Sequence, residues 1–297
     1  LVDEKGNRNV FKYCANDLSD EVVGMWVSTG ANVDGAENVA IQTYQNDGKA
    51  YFTGGFAPEE NGYETKAEST YKVIGNLMIQ KMPAGATVAY ITRRLTYVPN
   101  GTTYGDILIC ESSILGTTTS WLRIKQSLDL AGKKYDYIKT FVSNVKGEDK
   151  DIDFMGYTFN FAKMDGSGLD KMLKSLLFAV EFPDANTLGY SYQMNGNKET
   201  YNSPIVVEGN KMTIKMSAKV PTLKDVVLYA FQDADCSQMH FYMHKTAFVS
   251  FYTNMQAMLM AATNEQFDIT NAEAVNAIYD NINNAVETIN VSLVMSK

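Results

Sequence analysis

Between positions 21 and 125 the chain alternates short apolar-polar runs with Gly, Asn and Asp turn signals, at roughly the 8–12-residue spacing of an all-β meander. The runs fall at 39–44, 50–56, 70–74, 77–82, 87–97, 107–111 and 120–127. Asn46-Asp47-Gly48, Gly75-Asn76 and Asn100-Gly101 stand between them, where a Gly at positive φ closes a tight hairpin. With the run entered by Gly24-Met25-Trp26, about eight strands fit, the number at which a closed barrel encloses side chains or one small ligand.

A related pattern returns later. Runs at 154–161, 177–182, 187–194, 199–207, 212–216, 226–231 and 239–243 read as strands, with Asn195-Gly196-Asn197 as a further hairpin turn. Val73-Ile74-Gly75-Asn76-Leu77-Met78 is echoed by Val207-Glu208-Gly209-Asn210-Lys211-Met212, which fits either a tandem repeat or two hairpins with the same turn chemistry. Helical spacing enters only here. Leu169, Met172, Leu173 and Leu176 predict a short helix over 168–175, and Phe248, Phe251, Tyr252, Met255, Met258 and Leu259 an apolar stripe over 247–261. Thr270-Asn271-Ala272-Glu273 reads as a capping box ahead of Val275, Ile278, Ile282, Ala285 and Ile289. The tail 290–295 alternates and can return to the sheet.

The fold class predicted is mainly β: an antiparallel barrel over 1–143, a polar linker over 144–153, and a second barrel or curved sheet with added helices over 154–297. The linker carries Glu148, Asp149, Asp151 and Asp153 without the Gly and terminal Glu of an EF-hand loop. A formal net charge of −8 with no basic patch argues against nucleic acid. No run reaches the roughly 18 apolar residues of a membrane helix. The chain opens on Leu1-Val2-Asp3-Glu4, without an initiator Met, and reads as a trimmed mature fragment.

Candidate chemistry is sparse. Neither a Gly-x-Ser-x-Gly elbow nor a Walker loop nor a dinucleotide fingerprint occurs. His240 and His244 sit on a strand-like run, ~13 Å apart by strand rise, too far to share an ion, and read as solvent-facing or rim residues. Asp233-Ala234-Asp235 looks like a turn. Cys14, Cys110 and Cys236 are an odd, widely spaced set that specifies neither a disulfide framework nor zinc. No catalytic, cofactor or metal residue is therefore expected, and the ligand-contacting residues stay open.

The most informative feature is a bracket. Gly24-Met25-Trp26 enters the first strand run, and Trp121-Leu122-Arg123 lies on the run that would close its barrel, so a guanidinium can stack on an indole at the seam. This arrangement, with the segments Tyr44-Gln45-Asn46-Asp47-Gly48 and Tyr71 to Asn76, resembles bacterial lipocalin-like (calycin) domains, including those of Bacteroides-type cell-envelope lipoproteins. The resemblance covers about 18–130 well and the second half weakly. It implies that Gly24, Trp26 and Arg123 close the non-ligand end of the barrel, although a Trp-lined ligand platform fits the same residues. It also implies export to the periplasm or outer membrane behind a signal segment absent from the chain. The expected function is non-enzymatic binding of a small apolar or amphipathic ligand or lipid. The alternative is a protein-interaction module with filled barrels and an envelope protein as partner. The Met-rich stripe over 247–261 reads as core packing, with a mobile flap or a partner-binding face as alternatives.

Overall fold

The computed structural model describes residues 17–28, 40–54, 65–84, 86–102, 105–112, 115–125, 127–154, 157–164, 166–194, 196–233, 235–264 and 266–297. Cys14 and the predicted features at positions 39, 55–56, 126, 155–156, 195 and 234 lie outside them. The chain forms two closed antiparallel barrels of eight strands each. Of the described residues, those up to Arg123 form one compact unit and those from Ile124 onward a second.

The first unit opens with a single helical turn, α1 (Ser19–Val22), followed by β1 (Gly24–Ser28), β2 (Ala40–Tyr44), β3 (Lys49–Gly54) and β4 (Thr65–Ile74). Then come β5 (Leu77–Ala84), β6 (Thr87–Thr102), β7 (Gly105–Ser112) and β8 (Thr117–Ile124). Each strand pairs with the next around the barrel. Short Gly-containing turns make this possible: Gly48 and Gly75 take φ of +81° and +63°, a region an L residue enters only at a cost. Its buried apolar core includes Trp26, Tyr44, Met78, Leu95 and Leu108, and buried Gln42, Ser69 and Gln80 interrupt it.

The second unit contributes β9 (Lys133–Gly147), a small separate hairpin of β10 (Asp151–Phe154) and β11 (Tyr157–Asn160), and α2 (Ser167–Ser175). After these come β12 (Ala179–Asp184), β13 (Thr187–Met194), β14 (Asn197–Glu208) and β15 (Lys211–Ile214), then a 3-10 turn (Met216–Ala218). The chain ends with β16 (Val226–Gln232), β17 (Gln238–His244), α3 (Lys245–Thr263), α4 (Ala272–Ala285) and β18 (Val286–Ser296). The barrel order is β12 through β18 with β9 between β18 and β12, so the first strand in the chain seals the barrel against the last. Phe248, Tyr252 and Met255 of α3 join the buried core with Tyr135, Phe182, Phe241 and Leu293, so the Met-rich stripe is core packing.

The repeated Gly-Asn hairpin occupies the same place in both barrels. In chain order it joins the fourth and fifth strands of each, with Ile74 opposite Leu77 in one and Glu208 opposite Lys211 in the other. Gly75 and Gly209 share φ of +63°. The Asn76 and Asn210 carbonyls each accept a 2.8 Å bond from the sixth strand, from Leu95 and Ala230. The echo is thus a topological equivalence as well as turn chemistry.

Several expectations need correction. The run 133–147 is a full strand of the second barrel, so the chain passes from one barrel to the next between the end of β8 at Ile124 and Lys133, and not at a linker over 144–153. Lysines on β9 hid it: Lys133, Lys134, Lys139 and Lys146 make a buried-face strand read as polar. The acidic stretch leads into the β10–β11 hairpin, where Asn160 bridges Asp149 and Asp151 and Lys163 pairs with Asp149 at 2.7 Å. Of the run 154–161, Phe154 ends β10 and Tyr157–Asn160 form β11, so its described strand residues belong to that hairpin and not to one barrel strand. Asn100-Gly101 lies inside β6, which reverses only beyond Thr102. At α4 the cap is Asn271, whose side chain accepts from the backbone of Glu273 and Ala274, while Thr270 bonds Asp268. Ile289 belongs to β18, because the β-branched series from Val286 ends the helix four residues early.

Candidate ligand-binding site

The structure brings Gly24, Trp26 and Arg123 together at one end of the first barrel. The Arg123 guanidinium carbon lies 4.5 Å over the indole of Trp26, which is 0% exposed. Arg123 Nη1 donates to the Val23 carbonyl at 2.9 Å and Nη2 donates to the Glu21 carbonyl, while Nε faces Asp106 at 3.4 Å. The indole N–H donates to Val22 O at 2.8 Å. Tyr97 meets the indole edge-on at 6.5 Å and donates its hydroxyl to Asp106 at 2.7 Å. Desolvation, then its hydrogen bond to Asp106, raises the Tyr97 phenol above its ordinary value. Gly24 is required on two counts: its φ is +135°, and a Cβ there would lie 3.2 Å from Arg123 Nη1. The fully buried Trp26 ring thus has Arg123 over one face, Tyr97 in a T-shaped contact and its N–H bound to Val22.

The second barrel encloses space of a different kind. An apolar cavity of about 40 Å³ is walled by inward residues of its strands, such as Val180, Leu228, Phe241 and Leu293, and by Phe251 and Met255 of α3. Next to it a larger cleft of about 290 Å³ runs between Tyr201, Ser203, Val220, Leu223, Ala261 and Ile269. Tyr190, Met216 and Met258 line both spaces and form the partition between them. That partition is held by weak bonds to sulfur: Tyr190 Oη donates to Met258 Sδ at 3.2 Å and Ser203 Oγ to Met216 Sδ at 3.1 Å. A thioether is a poor acceptor on a flexible stem, so such a wall re-forms readily around a guest. Tyr201 stacks between Tyr190 and Tyr192, with centroids 5.6 and 5.9 Å apart and planes within 19°. Burial raises the Tyr190 and Tyr192 phenols well above their ordinary range, and Lys219 is the charged side chain that lines the cleft.

The titratable candidates lie elsewhere. His240 pairs with Phe231 on the neighbouring strand and is half-buried, with its Nε2 shielded from solvent, and desolvation pulls its imidazole down to about 4. His244 Nδ1 lies 2.8 Å from Asn290 Oδ1. Asp233 and Asp235 close the β16–β17 turn, Asp233 accepting from the Gln238 backbone at 2.8 Å and Asp235 from the Ser237 backbone at 2.9 Å. Cys110 and Cys236 are free and buried. Among the described residues no group of three His, Cys, Asp or Glu side chains could hold a metal ion, and no helix is long and apolar enough to cross a membrane.

Comparison with protein-family models, curated proteins and solved structures finds no match for the chain. Of the residues in the cavity walls, Phe251, Met255 and Met258 were visible in the sequence as a helical stripe. Tyr190 and Tyr201 were not, although both fall on the inward phase of strands whose alternation is plain in 187–194 and 199–207.

Proposed function

We propose that the protein is a non-enzymatic, lipocalin-like binding protein of the cell envelope that takes a small apolar or amphipathic molecule in its second barrel. The observation that carries this reading is the apolar cavity of about 40 Å³ separated from a rim cleft of about 290 Å³ by Tyr190, Met216 and Met258. The apolar part alone falls well short of the volume a small ligand needs. Swinging the Met216 and Met258 side chains aside would join the two spaces into one pocket of the size a small ligand needs. No carboxylate or imidazole lines either space, which favours binding over acid-base chemistry.

On this reading the first barrel's Gly24, Trp26 and Arg123 are a closure device at the end away from any ligand, held by the bonds of Arg123 to Glu21 and Val23. Export to the periplasm or outer membrane accords with the lipocalin-like reading. Titrating the full chain with the apolar dye N-phenyl-1-naphthylamine tests the site. Saturable uptake should be lost in Ala261→Trp, which fills the cleft at an exposed helix position without touching the core. No uptake by the parent protein, or unchanged uptake by the variant, would refute the proposal.

A further inference from the structure

The first barrel carries a cation in a place where strand alternation calls for an apolar side chain. On β6, Ile91, Arg93, Leu95 and Tyr97 share one face, and that face points inward: Arg93 is paired with fully buried Met78, and Leu95 with buried Cys110. Arg93 Nη1 donates to Gln80 Oε1. The amide of Gln80 is itself oriented, since its Nε2 donates to Ser69 Oγ at 2.7 Å, and Ser69 in turn donates to the Ala50 carbonyl at 3.2 Å. Gln80 and Ser69 are both buried. A relay of three side chains on three strands therefore fixes the guanidinium from behind.

What it does not supply is a counter-charge. Among the described residues Arg93 makes this hydrogen bond and no ion pair. Tyr44 and Cys110 lie in its field; both are buried, and desolvation raises the tyrosine phenol and the cysteine thiol above their ordinary values. A guanidinium has five N–H donors and no acceptor, and Gln80 engages one of its nitrogens, so the rest of the fork takes water or an anion as its partner. Arg93 is only half-buried, so an anion from solvent can reach the part of the fork that Gln80 leaves open.

We infer that the first barrel binds a carboxylate-bearing small molecule, with Arg93 as its anchoring residue and Gln80 and Ser69 as positioning residues. A carboxylate fits better than a phosphate for two reasons. Its single charge is matched by this single cation, and the guanidinium fork accepts it in two parallel hydrogen bonds. A dianion would leave a surplus negative charge inside a protein that already carries −8. This site is independent of the apolar pocket proposed for the second barrel.

Isothermal titration of the full chain with hexanoate, hexanol and inorganic phosphate tests the inference. Hexanoate should bind saturably, and Arg93→Gln should weaken it by at least about tenfold, the least expected for loss of a charge-assisted bond. Arg93→Lys, which keeps the charge but not the fork, should fall between the two and covers the case in which the Gln variant does not fold. Hexanol uptake, which reports on the apolar pocket, should be the same in all three proteins. The inference is overturned if hexanoate does not bind, if it binds the folded Arg93 variants as tightly as the parent, or if phosphate binds better than hexanoate.

Discussion

The two barrels share strand number, antiparallel order and the Gly-Asn hairpin between their fourth and fifth strands, yet they fill their interiors in opposite ways. The first has a small apolar core around Trp26, a guanidinium stacked on it, and a polar belt of Gln42, Ser69, Gln80 and Arg93. The second is lined by Tyr, Phe, Leu and Met, and recruits α3 and α4 to complete a far larger core. An antiparallel barrel satisfies its backbone hydrogen bonds through pairing alone, so the sheet constrains the inward side chains only by volume and polarity. Two barrels of one plan can therefore hold a charge in one case and an apolar void in the other.

That contrast can be broken at named positions. Trp26→Ala should have the largest effect, lowering the stability of the first barrel by about 3–5 kcal/mol through the cavity it leaves. Denaturant melts should separate into two transitions, with the later one unmoved; a uniform shift of both would mean that the barrels do not unfold as separate units. Leu228→Ala, in the wall of the second barrel's void, should cost about 2–5 kcal/mol and at the same time increase uptake of N-phenyl-1-naphthylamine. Lower stability with no gain in uptake would argue against a usable pocket.

Arg123→Lys should follow, at about 1–3 kcal/mol, because an ammonium cannot bridge the Glu21 and Val23 carbonyls while lying flat on the indole. Thermal melts against Arg123→Met would separate the charge from the stacking. A pH dependence should mark the second barrel. Folding holds the His240 imidazole down to about 4, so below the ordinary value of about 6.5 the unfolded chain binds more protons than the folded one. Stability is therefore full above about 6.5 and falls as pH drops toward about 4. Equilibrium unfolding at a series of pH values should show this slope, and His240→Asn should flatten it. The smallest effect expected is that of Asn271→Ala, about 1 kcal/mol for the lost cap of α4, read from urea midpoints.

Much of the fold was visible in the residues. Turn signals such as Asn46-Asp47-Gly48 and Gly75-Asn76 act over a few positions, so the hairpins they close could be placed from local chemistry. Trp26 and Arg123 could be paired because their side chains attract strongly and a barrel seam is where chain-distant strands meet. β9 was missed because its partners β12 and β18 lie far along the chain, and nothing local records which face of a Lys-rich strand is buried. Arg93 was passed over too, although its place in the apolar phase of Ile91, Leu95 and Tyr97 was a readable anomaly.

By itself, then, the sequence determined the elements whose signals are short-ranged: strand runs, Gly turns, the α4 cap region and the chemical types at the first barrel's seam. Only the tertiary structure decided where one barrel ends and the next begins, which strand seals the second, and whether an interior is void or charged. Those outcomes depend on which side chains from distant strands converge and how well their volumes and charges match, and a local pattern carries no record of that match.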